Sequence, residues 1–238
     1  MVSKTKTAYV CNDCGADYRK WQGQCSECNA WNTLSEVRLG SPARAGKVLR
    51  PGFAGAVDSA VKTLADIALD EIPRISSGAG ELDLVLGGGF VPGSCVLLGG
   101  EPGAGKSTVL LQTLCAMAES NSALYVTGEE SPQQVAMRAN RLGLPTEKLE
   151  IMAETSVETV CAIAEQKRPK ILVVDSIQVM HIDEVASAPG SVSQVRESAA
   201  MLVRFAKQTG TVLILVGHVT KDGSLAGPKV LEHMIDCS

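Results

Sequence analysis

Residues 100–107 have the composition and spacing of a loop that binds the phosphates of a nucleotide. They read Gly-Glu-Pro-Gly-Ala-Gly-Lys-Ser, which matches the pattern G-x-x-x-x-G-K-[ST]. Glycines allow backbone conformations that point N–H groups at phosphate, Lys106 is expected to reach the β- and γ-phosphates, and the Ser107 hydroxyl is expected to bind Mg²⁺. The pattern therefore predicts a nucleoside triphosphate site made by Gly100, Glu101, Pro102, Gly103, Ala104, Gly105, Lys106 and Ser107.

A second pattern, near the N-terminus, indicates a metal site. Two C-x-x-C pairs are separated by ten residues, a spacing that predicts a tetrahedral zinc site formed by Cys11, Cys14, Cys25 and Cys28. Disulfides are disfavoured in a cytoplasmic chain, and a redox C-x-x-C would normally begin a helix of a βαβ unit.

The zinc ion would also supply stability. A segment of about forty residues cannot bury enough surface to fold alone. We expect Trp21 and Trp31 to pack on the two zinc hairpins. A purely structural role for this ribbon, or a contact with DNA, a protein or the rest of the chain, remains open.

Composition favours an α/β protein with an aliphatic core. The chain has 238 residues, of which 45% are hydrophobic but only 3% aromatic, as suits the continuous aliphatic strands of parallel sheets. No apolar stretch approaches the ~20 residues of a membrane span, and no signal-peptide core follows Met1, so we expect a cytoplasmic protein without a membrane partner.

The net charge is −4, and residues 1–50 hold eight basic against four acidic residues. The acidic remainder argues against a broad DNA-binding face and leaves the N-terminal region or a few loop cations as contacts.

The chain is predicted to have three parts. A Cys₄ zinc ribbon occupies residues 1–38, a flexible basic linker residues 39–70, and an ATPase-type core residues 71–238. The linker is rich in Gly, Ala and Pro and includes Arg44, Lys47 and Arg50. A solvated tether is favoured over a segment that follows a phosphate backbone.

Strands alternate with helices along the core. Aliphatic runs predict strands at residues 95–98, 123–127, 149–152, 171–175 and 211–216. Helices between them are predicted to begin at capping boxes formed by Ser131 with Gln134 and Thr155 with Glu158, and at a cap formed by Ser191 with Gln194. This alternation predicts a mostly parallel, doubly wound sheet with right-handed crossovers.

Polar residues at the ends of these strands are the candidates for chemistry, because ligands bind at the carboxyl ends of parallel strands. Asp175 follows four aliphatic residues and is expected to hold Mg²⁺ opposite Ser107, directly or through water. Glu129 or Glu130 could deprotonate the attacking water, and Glu129 is favoured because it lies closer to the strand end. The alternative is that this acidic pair stabilises the next helix N-terminus. His218 could sense the γ-phosphate or be structural.

The order of these motifs resembles that of the RecA-like ATPases. With the Cys₄ ribbon in front, the chain is similar to the bacterial DNA repair and recombination members of that family over nearly all its length. The segments that carry the resemblance are 75–78, 82–83, 86–89, the phosphate loop, 125–131, 173–176 and 217–223.

The resemblance implies an ATP-driven DNA motor, a homo-hexameric ring that promotes branch migration and processing of recombination intermediates. It implies zinc at the four cysteines and ATP with Mg²⁺ at Gly103, Gly105, Lys106, Ser107 and Thr108. It also implies a catalytic carboxylate at Glu129, metal support from Asp175 and a sensor at His218. Residues 180–191 and 219–227 would face the DNA, with Lys221 as a phosphate contact, and the partners would be single-stranded or branched DNA and recombinase-type repair proteins.

The resemblance ends near the C-terminus. The family continues into another strand, a Lys-Asn-Arg-Phe-Gly motif and a Lon-protease-like domain, whereas this chain stops at Ser238. Since that motif supplies basic residues across a subunit boundary, we expect this chain to bind nucleotide but to hydrolyse it poorly. The alternatives are a zinc-tethered ATPase that switches protein partners, and a non-catalytic nucleotide-binding fragment.

Overall fold

The computed structural model describes residues 6–11, 13–39, 63, 73–101, 103–218, 231 and 233–238. These residues contain an antiparallel sheet of three strands and a parallel sheet of five strands. The predicted fold class, a zinc ribbon followed by a parallel α/β unit of RecA-like type, is confirmed. The predicted linker lies outside the described residues except for Leu39 and Thr63.

The antiparallel sheet forms the ribbon. Its strands are β1 (Lys6–Cys11), β2 (Asp17–Tyr18) and β3 (Leu34–Leu39), with β1 in the centre. Its small core contains three buried residues, Cys11, Cys25 and Leu34.

The parallel sheet follows. Its elements in chain order are α1 (Gly80–Val85), β4 (Cys95–Gly100), α2 (Lys106–Ala118), β5 (Ala123–Thr127), α3 (Pro132–Arg141), β6 (Leu149–Ala153), α4 (Val157–Lys167), β7 (Ile171–Asp175), α5 (Val192–Thr209) and β8 (Val212–His218). The strand order is β4-β8-β7-β5-β6. All carboxyl ends therefore lie along one edge, with β8 between β4 and β7.

Helices cover both faces of this sheet, and side chains alternate between the faces along each strand. Tyr125 and Val173 belong to the apolar cluster that includes residues of α2 and α3. Val126 and Val174 belong to the cluster with residues of α4 and α5. Because both faces are buried, the strands must be aliphatic throughout, which is why short continuous apolar runs predicted them.

The start of β4 is covered by residues that follow β8. The Cys95 N–H donates to Asp236 Oδ2 at 2.8 Å, the Asp236 N–H donates to the Cys95 carbonyl at 2.8 Å, and the Leu97 N–H donates to the Cys237 carbonyl at 2.9 Å. Lys207 of α5 pairs with Asp236 at 2.6 Å. Residues 236–237 thus extend the sheet beside the strand that carries the phosphate loop.

The helix starts agree with the predicted caps except at α4. Ser131 forms the predicted capping box with Gln134, and the Ser191 hydroxyl accepts from the Gln194 N–H. The prediction of Thr155 as the cap of α4 is wrong, since Ser156 Oγ accepts from the Thr159 N–H at 3.3 Å.

The backbone around Thr155 explains this shift. The Thr155 carbonyl accepts from the His181 N–H at 2.9 Å, and the His181 carbonyl accepts from the Val157 N–H at 3.0 Å. The chain is therefore still paired with its neighbour at Thr155, and the helix begins one residue later than the spacing suggests.

Among the residues that the structure describes, the helices lack the combination of length and apolar character needed to cross a bilayer.

Candidate nucleotide site and metal centre

The phosphate loop joins β4 to α2, and its glycines adopt conformations that other residues rarely reach. Gly103 and Gly105 have φ values of +82° and +86°, and Gly105 is the residue from which α2 starts. The first N–H groups of a helix have no partner within the helix and are suited to bind an anion. The described part of the loop therefore has the backbone that the sequence pattern predicts, while Pro102 lies outside it.

Lys106 folds back over this loop. Its Nζ donates to the carbonyl oxygens of Gly100 at 2.7 Å and Glu101 at 2.8 Å. A Cβ atom on Gly100 would lie 3.2 Å from Lys106 Cδ, closer than a normal contact. Glycine at position 100 therefore leaves room for the lysine stem, and the ammonium group is held at the loop.

Asp175 lies on the sheet face that α2 covers. It ends β7 two residues after Val173, so the two side chains point to the same face, where Val173 packs in the cluster containing Leu111 and Leu114 of α2. The Asp175 side chain is buried, with the residue 9% exposed. Since β8 separates β4 from β7, the two strands lie two spacings apart, about 9–10 Å. Asp175 and the α2 start that carries Ser107 therefore share one face and one edge of the sheet.

A buried tyrosine holds the Asp175 carboxylate. The Tyr125 hydroxyl on the neighbouring strand β5 donates to Asp175 Oδ2 at 2.5 Å. Burial, and then the nearby Asp175 charge, raise the pKa of Tyr125, so the tyrosine keeps its proton and remains a donor. The sequence analysis missed this residue. The signal in the sequence was a tyrosine, with its polar hydroxyl, in the middle of a strand whose neighbouring residues are aliphatic.

The two glutamates after β5 have different partners. Ser176 Oγ donates to Glu129 Oε1, and the Gly128 N–H donates to the Asp175 carbonyl at 2.8 Å, which joins this turn to the end of β7. The peptide bond between Asp175 and Ser176 is cis. Glu129 is exposed at this edge of the sheet.

Glu130 instead pairs with Arg138 of α3. Its carbonyl also accepts from Thr127 Oγ1 at 2.7 Å. Arg138 lies in the last turn of α3, so this ion pair differs from the alternative considered for the acidic pair, an interaction with the N-terminus of that helix. It supports the preference for Glu129 as the residue that acts on water, which stays a prediction.

The remaining predicted residues lie at the same edge or outside the described chain. The backbone of His218, the last residue of β8, is in register with Gly100 of β4, next to the start of the phosphate loop. Lys221 and the segment 219–227 lie outside the described residues. Residues 180–191 are described. The Gln194 side chain of α5 holds this segment through hydrogen bonds from its Nε2 to the carbonyls of Ile182, Val185 and Ser187.

The four ribbon cysteines converge as predicted. Their Sγ atoms all lie within 4.8 Å of one another, with 3.7 Å between Cys11 and Cys28 and 3.5 Å between Cys14 and Cys25. An ideal tetrahedral zinc site with Zn–S bonds of 2.3 Å has sulfur atoms about 3.8 Å apart. The donor set and its spacing therefore fit Zn²⁺.

Local backbone and hydrogen bonds favour this metal centre. Gly15 and Asn29 follow the two knuckles with φ of +77° and +59°, and their N–H groups donate to the carbonyls of Cys11 and Cys25 at 2.9 Å. The Tyr18 hydroxyl and Cys25 Sγ are hydrogen-bonded at 3.2 Å, which lowers the pKa of Cys25 to about 6, whereas burial raises the pKa of Cys14 to about 12. Because zinc binds thiolates, metal binding must displace any protons that the four cysteines carry.

Comparison with known proteins identifies the class. The AAA domain family matches residues 79–224, which is more than half of the chain. The chain therefore belongs to the AAA domain family, whose members bind nucleotide. The rubredoxin metal binding domain family matches residues 9–36, the ribbon.

Individual relatives are more specific. The chain is 63% identical over 240 residues to DNA repair protein RadA of Escherichia coli, 61% over 238 residues to that of Haemophilus influenzae, and 44% over 238 residues to that of Bacillus subtilis. These alignments cover 99–100% of this chain but 51–52% of the relatives. The chain thus spans about half the length of the curated relatives it matches. The resemblance to ribbon-bearing DNA repair ATPases is confirmed.

Zinc binding can be tested by removing one ligand. Cys14→Ser should reduce zinc content from about one ion per chain to near zero, because three thiolates leave the tetrahedral site incomplete. Metal content after gel filtration measures this directly. Cys161→Ser, which changes a half-buried cysteine of α4, should keep its zinc. Full zinc content in Cys14→Ser would refute the Cys₄ site.

The Tyr125–Asp175 bond can be tested by a double-mutant cycle. Tyr125→Phe should lower the free energy of unfolding by about 1.5–3 kcal/mol, because a buried carboxylate oxygen loses its donor. The same change should cost much less in an Asp175→Asn background. Urea unfolding followed by far-UV circular dichroism measures both. Equal losses in the two backgrounds would show that the hydroxyl does not stabilise this carboxylate.

Proposed function

We propose that this chain is the nucleotide- and zinc-binding part of an ATP-dependent DNA repair protein. The observation that carries the proposal is the shared face and edge of Asp175, the phosphate loop and the start of α2. In that arrangement, the γ-phosphate of a nucleotide bound at the loop would lie near a carboxylate that can bind Mg²⁺. The relatives with 44–63% identity are named DNA repair protein RadA, which supports a role in DNA repair.

Each residue would then have a definite task. The loop N–H groups and Lys106 bind the β- and γ-phosphates, and Lys106 exchanges its carbonyl partners in the loop for phosphate oxygens. Ser107 and Asp175 would hold Mg²⁺, directly or through water, and Thr108, the next residue of α2, would complete the nucleotide site. When bound, Mg²⁺ neutralises charge on the phosphate oxygens.

Glu129 would accept the proton of the attacking water. Ser176 donates to its carboxylate and so holds it beside the end of β7. His218, at the end of β8, would contact the γ-phosphate. Its backbone register with Gly100 supports this role.

DNA is the proposed partner of the ATPase. We infer action on single-stranded or branched recombination intermediates, with Lys221 as a phosphate contact, in a homo-hexameric ring that works with recombinase-type proteins in the cytoplasm. The alternative of a switch acting on protein partners fits the acidic charge of the core, and the alternative of a non-catalytic fragment fits nucleotide binding alone.

Nucleotide binding and hydrolysis can be separated by two variants. Lys106→Ala should weaken binding of a fluorescent ATP analogue about 10- to 150-fold, because charge-assisted hydrogen bonds to phosphate are lost. Glu129→Gln should retain binding but reduce single-turnover hydrolysis about 10²- to 10⁴-fold, as expected for loss of a general base. Lys148→Ala, which removes an exposed pair with Glu119, is the control.

Two outcomes would count against this assignment. Unchanged affinity in Lys106→Ala would exclude the phosphate loop as the site. Unchanged hydrolysis in Glu129→Gln, with a loss in Glu130→Gln, would exchange the roles of the two glutamates.

The DNA partner can be tested through the salt dependence of binding. Affinity for a labelled oligo(dT) strand should fall steeply with salt, and Lys221→Ala should reduce the log–log slope by about 0.7 because one fewer counterion is released. Fluorescence anisotropy at several salt concentrations measures the slope. Lys167→Ala, which removes an exposed pair with Glu150, should leave it unchanged. Absence of DNA binding at low salt would favour the protein-switch alternative.

A further inference from the structure

The two tryptophans of the ribbon lie on its surface. Trp21 is 57% exposed and Trp31 is 68% exposed. The prediction that they pack on the zinc hairpins is therefore wrong for most of their area. Neither belongs to the ribbon core, which consists of Cys11, Cys25 and Leu34 with flanking Tyr9, Cys14, Ala16 and Tyr18. Two large aromatic side chains are thus displayed without being needed to fill the interior.

The two indoles are neighbours. A Cβ atom built on Gly23 would lie 3.7 Å from Cζ3 of Trp31 and 3.9 Å from Cη2 of Trp21. The six-membered rings of both indoles therefore lie close to the same glycine, and the two exposed side chains are neighbours on the ribbon.

The second zinc knuckle lies in the hairpin that carries Trp31 and Gly23. Gln24 and Trp31 form an antiparallel bridge, and the Asn32 N–H donates to the Gly23 carbonyl at 2.8 Å. Inside this hairpin the Cys25 N–H donates to the Ala30 carbonyl at 2.9 Å. Because the knuckle cysteines close the same hairpin, metal binding at Cys25 and Cys28 stabilises the backbone that carries Gly23 and Trp31.

Charge indicates what this surface binds. The exposed cations Arg19 and Lys20 directly precede Trp21. The first fifty residues carry eight basic against four acidic residues, in a chain whose net charge is −4. Asp13, Asp17 and Glu27 of the ribbon are also exposed, so the favourable charge for a polyanion lies at Arg19 and Lys20 and in Arg44, Lys47 and Arg50, which follow the ribbon in sequence. Aromatic faces beside cations are the combination that binds single-stranded nucleic acid, since bases stack and phosphates pair.

We propose that Trp21 and Trp31 form a zinc-organised stacking platform for the bases of single-stranded nucleic acid. Arg19 and Lys20 contact the adjoining phosphates. The inference deepens the proposed function, since it rests on DNA as the partner and assigns a contact to the ribbon.

The chain provides its own reporter. It contains two tryptophans in total, so its intrinsic indole fluorescence comes from this pair alone. Titration of the zinc-loaded chain with oligo(dT) should quench that fluorescence in a saturable manner. Trp21→Ala and Trp31→Ala should each weaken oligo(dT) binding about 5- to 150-fold in an anisotropy assay with labelled DNA, the loss typical of a removed stacking partner.

Conservative variants and controls guard against unfolding. Trp21→Phe and Trp31→Phe retain an aromatic face and should keep most of the affinity, and zinc content should be unchanged in all four variants. Met137→Ala removes another side chain that is 65% exposed, on α3, and should leave oligo(dT) affinity unchanged.

Three outcomes would overturn the platform. In the first, anisotropy detects oligo(dT) binding, but the tryptophan fluorescence is not quenched and both alanine variants keep full affinity. This result would leave the proposed DNA contact intact and assign the tryptophans to a protein partner. The second is equal quenching by duplex DNA, which would remove the single-strand preference. The third is absence of binding in both assays while nucleotide still binds, which would reject the DNA partner as well.

Discussion

The candidate nucleotide site depends on holding one buried carboxylate in a fixed orientation inside an aliphatic sheet. Burying a charge without hydrogen-bonding partners is costly, and Asp175 lies at the end of a strand that is buried on both faces. Tyr125 meets this requirement from the adjacent strand at 2.5 Å. Because the two strands are parallel and in register, with Thr127 opposite Asp175, a residue two positions earlier on β5 reaches the carboxylate from the same face.

The same register organises the neighbouring turn. The Gly128 N–H donates to the Asp175 carbonyl, and Ser176 donates to Glu129, so the end of β7 and the turn after β5 form one hydrogen-bonded unit. A Cβ atom on Gly128 would lie 2.3 Å from Val179 Cγ2. Only glycine therefore allows this turn to approach the segment after β7, and the distance between the candidate base and the candidate metal ligand is set by backbone contacts.

Sequence patterns predicted most of the fold because each pattern reports a local requirement. Continuous aliphatic runs gave the five parallel strands to within two residues, since strands covered on both faces need no polar alternation. Cap residues gave the starts of α3 and α5, and cysteine spacing gave the metal centre. The cap of α4 was missed because a non-local bridge between Ser156 and His181 delays the helix.

The features that escaped prediction are those that depend on tertiary placement. The Tyr125–Asp175 bond joins residues fifty positions apart, and no spacing rule specifies which strand lies beside which. Exposure of Trp21 and Trp31 also depends on placement, because an indole near a zinc knuckle can face either the small core or solvent. Gln194 was predicted as a cap partner, yet its side chain instead binds the backbone of residues 182–187, with only 3% of the residue exposed.

The residues that follow β8 also protect the sheet. A strand at the end of a sheet presents unpaired N–H and C=O groups that can recruit a strand from another molecule. On β4 the first such groups are satisfied by Asp236 and Cys237, and Lys207 anchors this cover from α5. The strand that carries the phosphate loop is thereby shielded at its beginning from edge-to-edge aggregation.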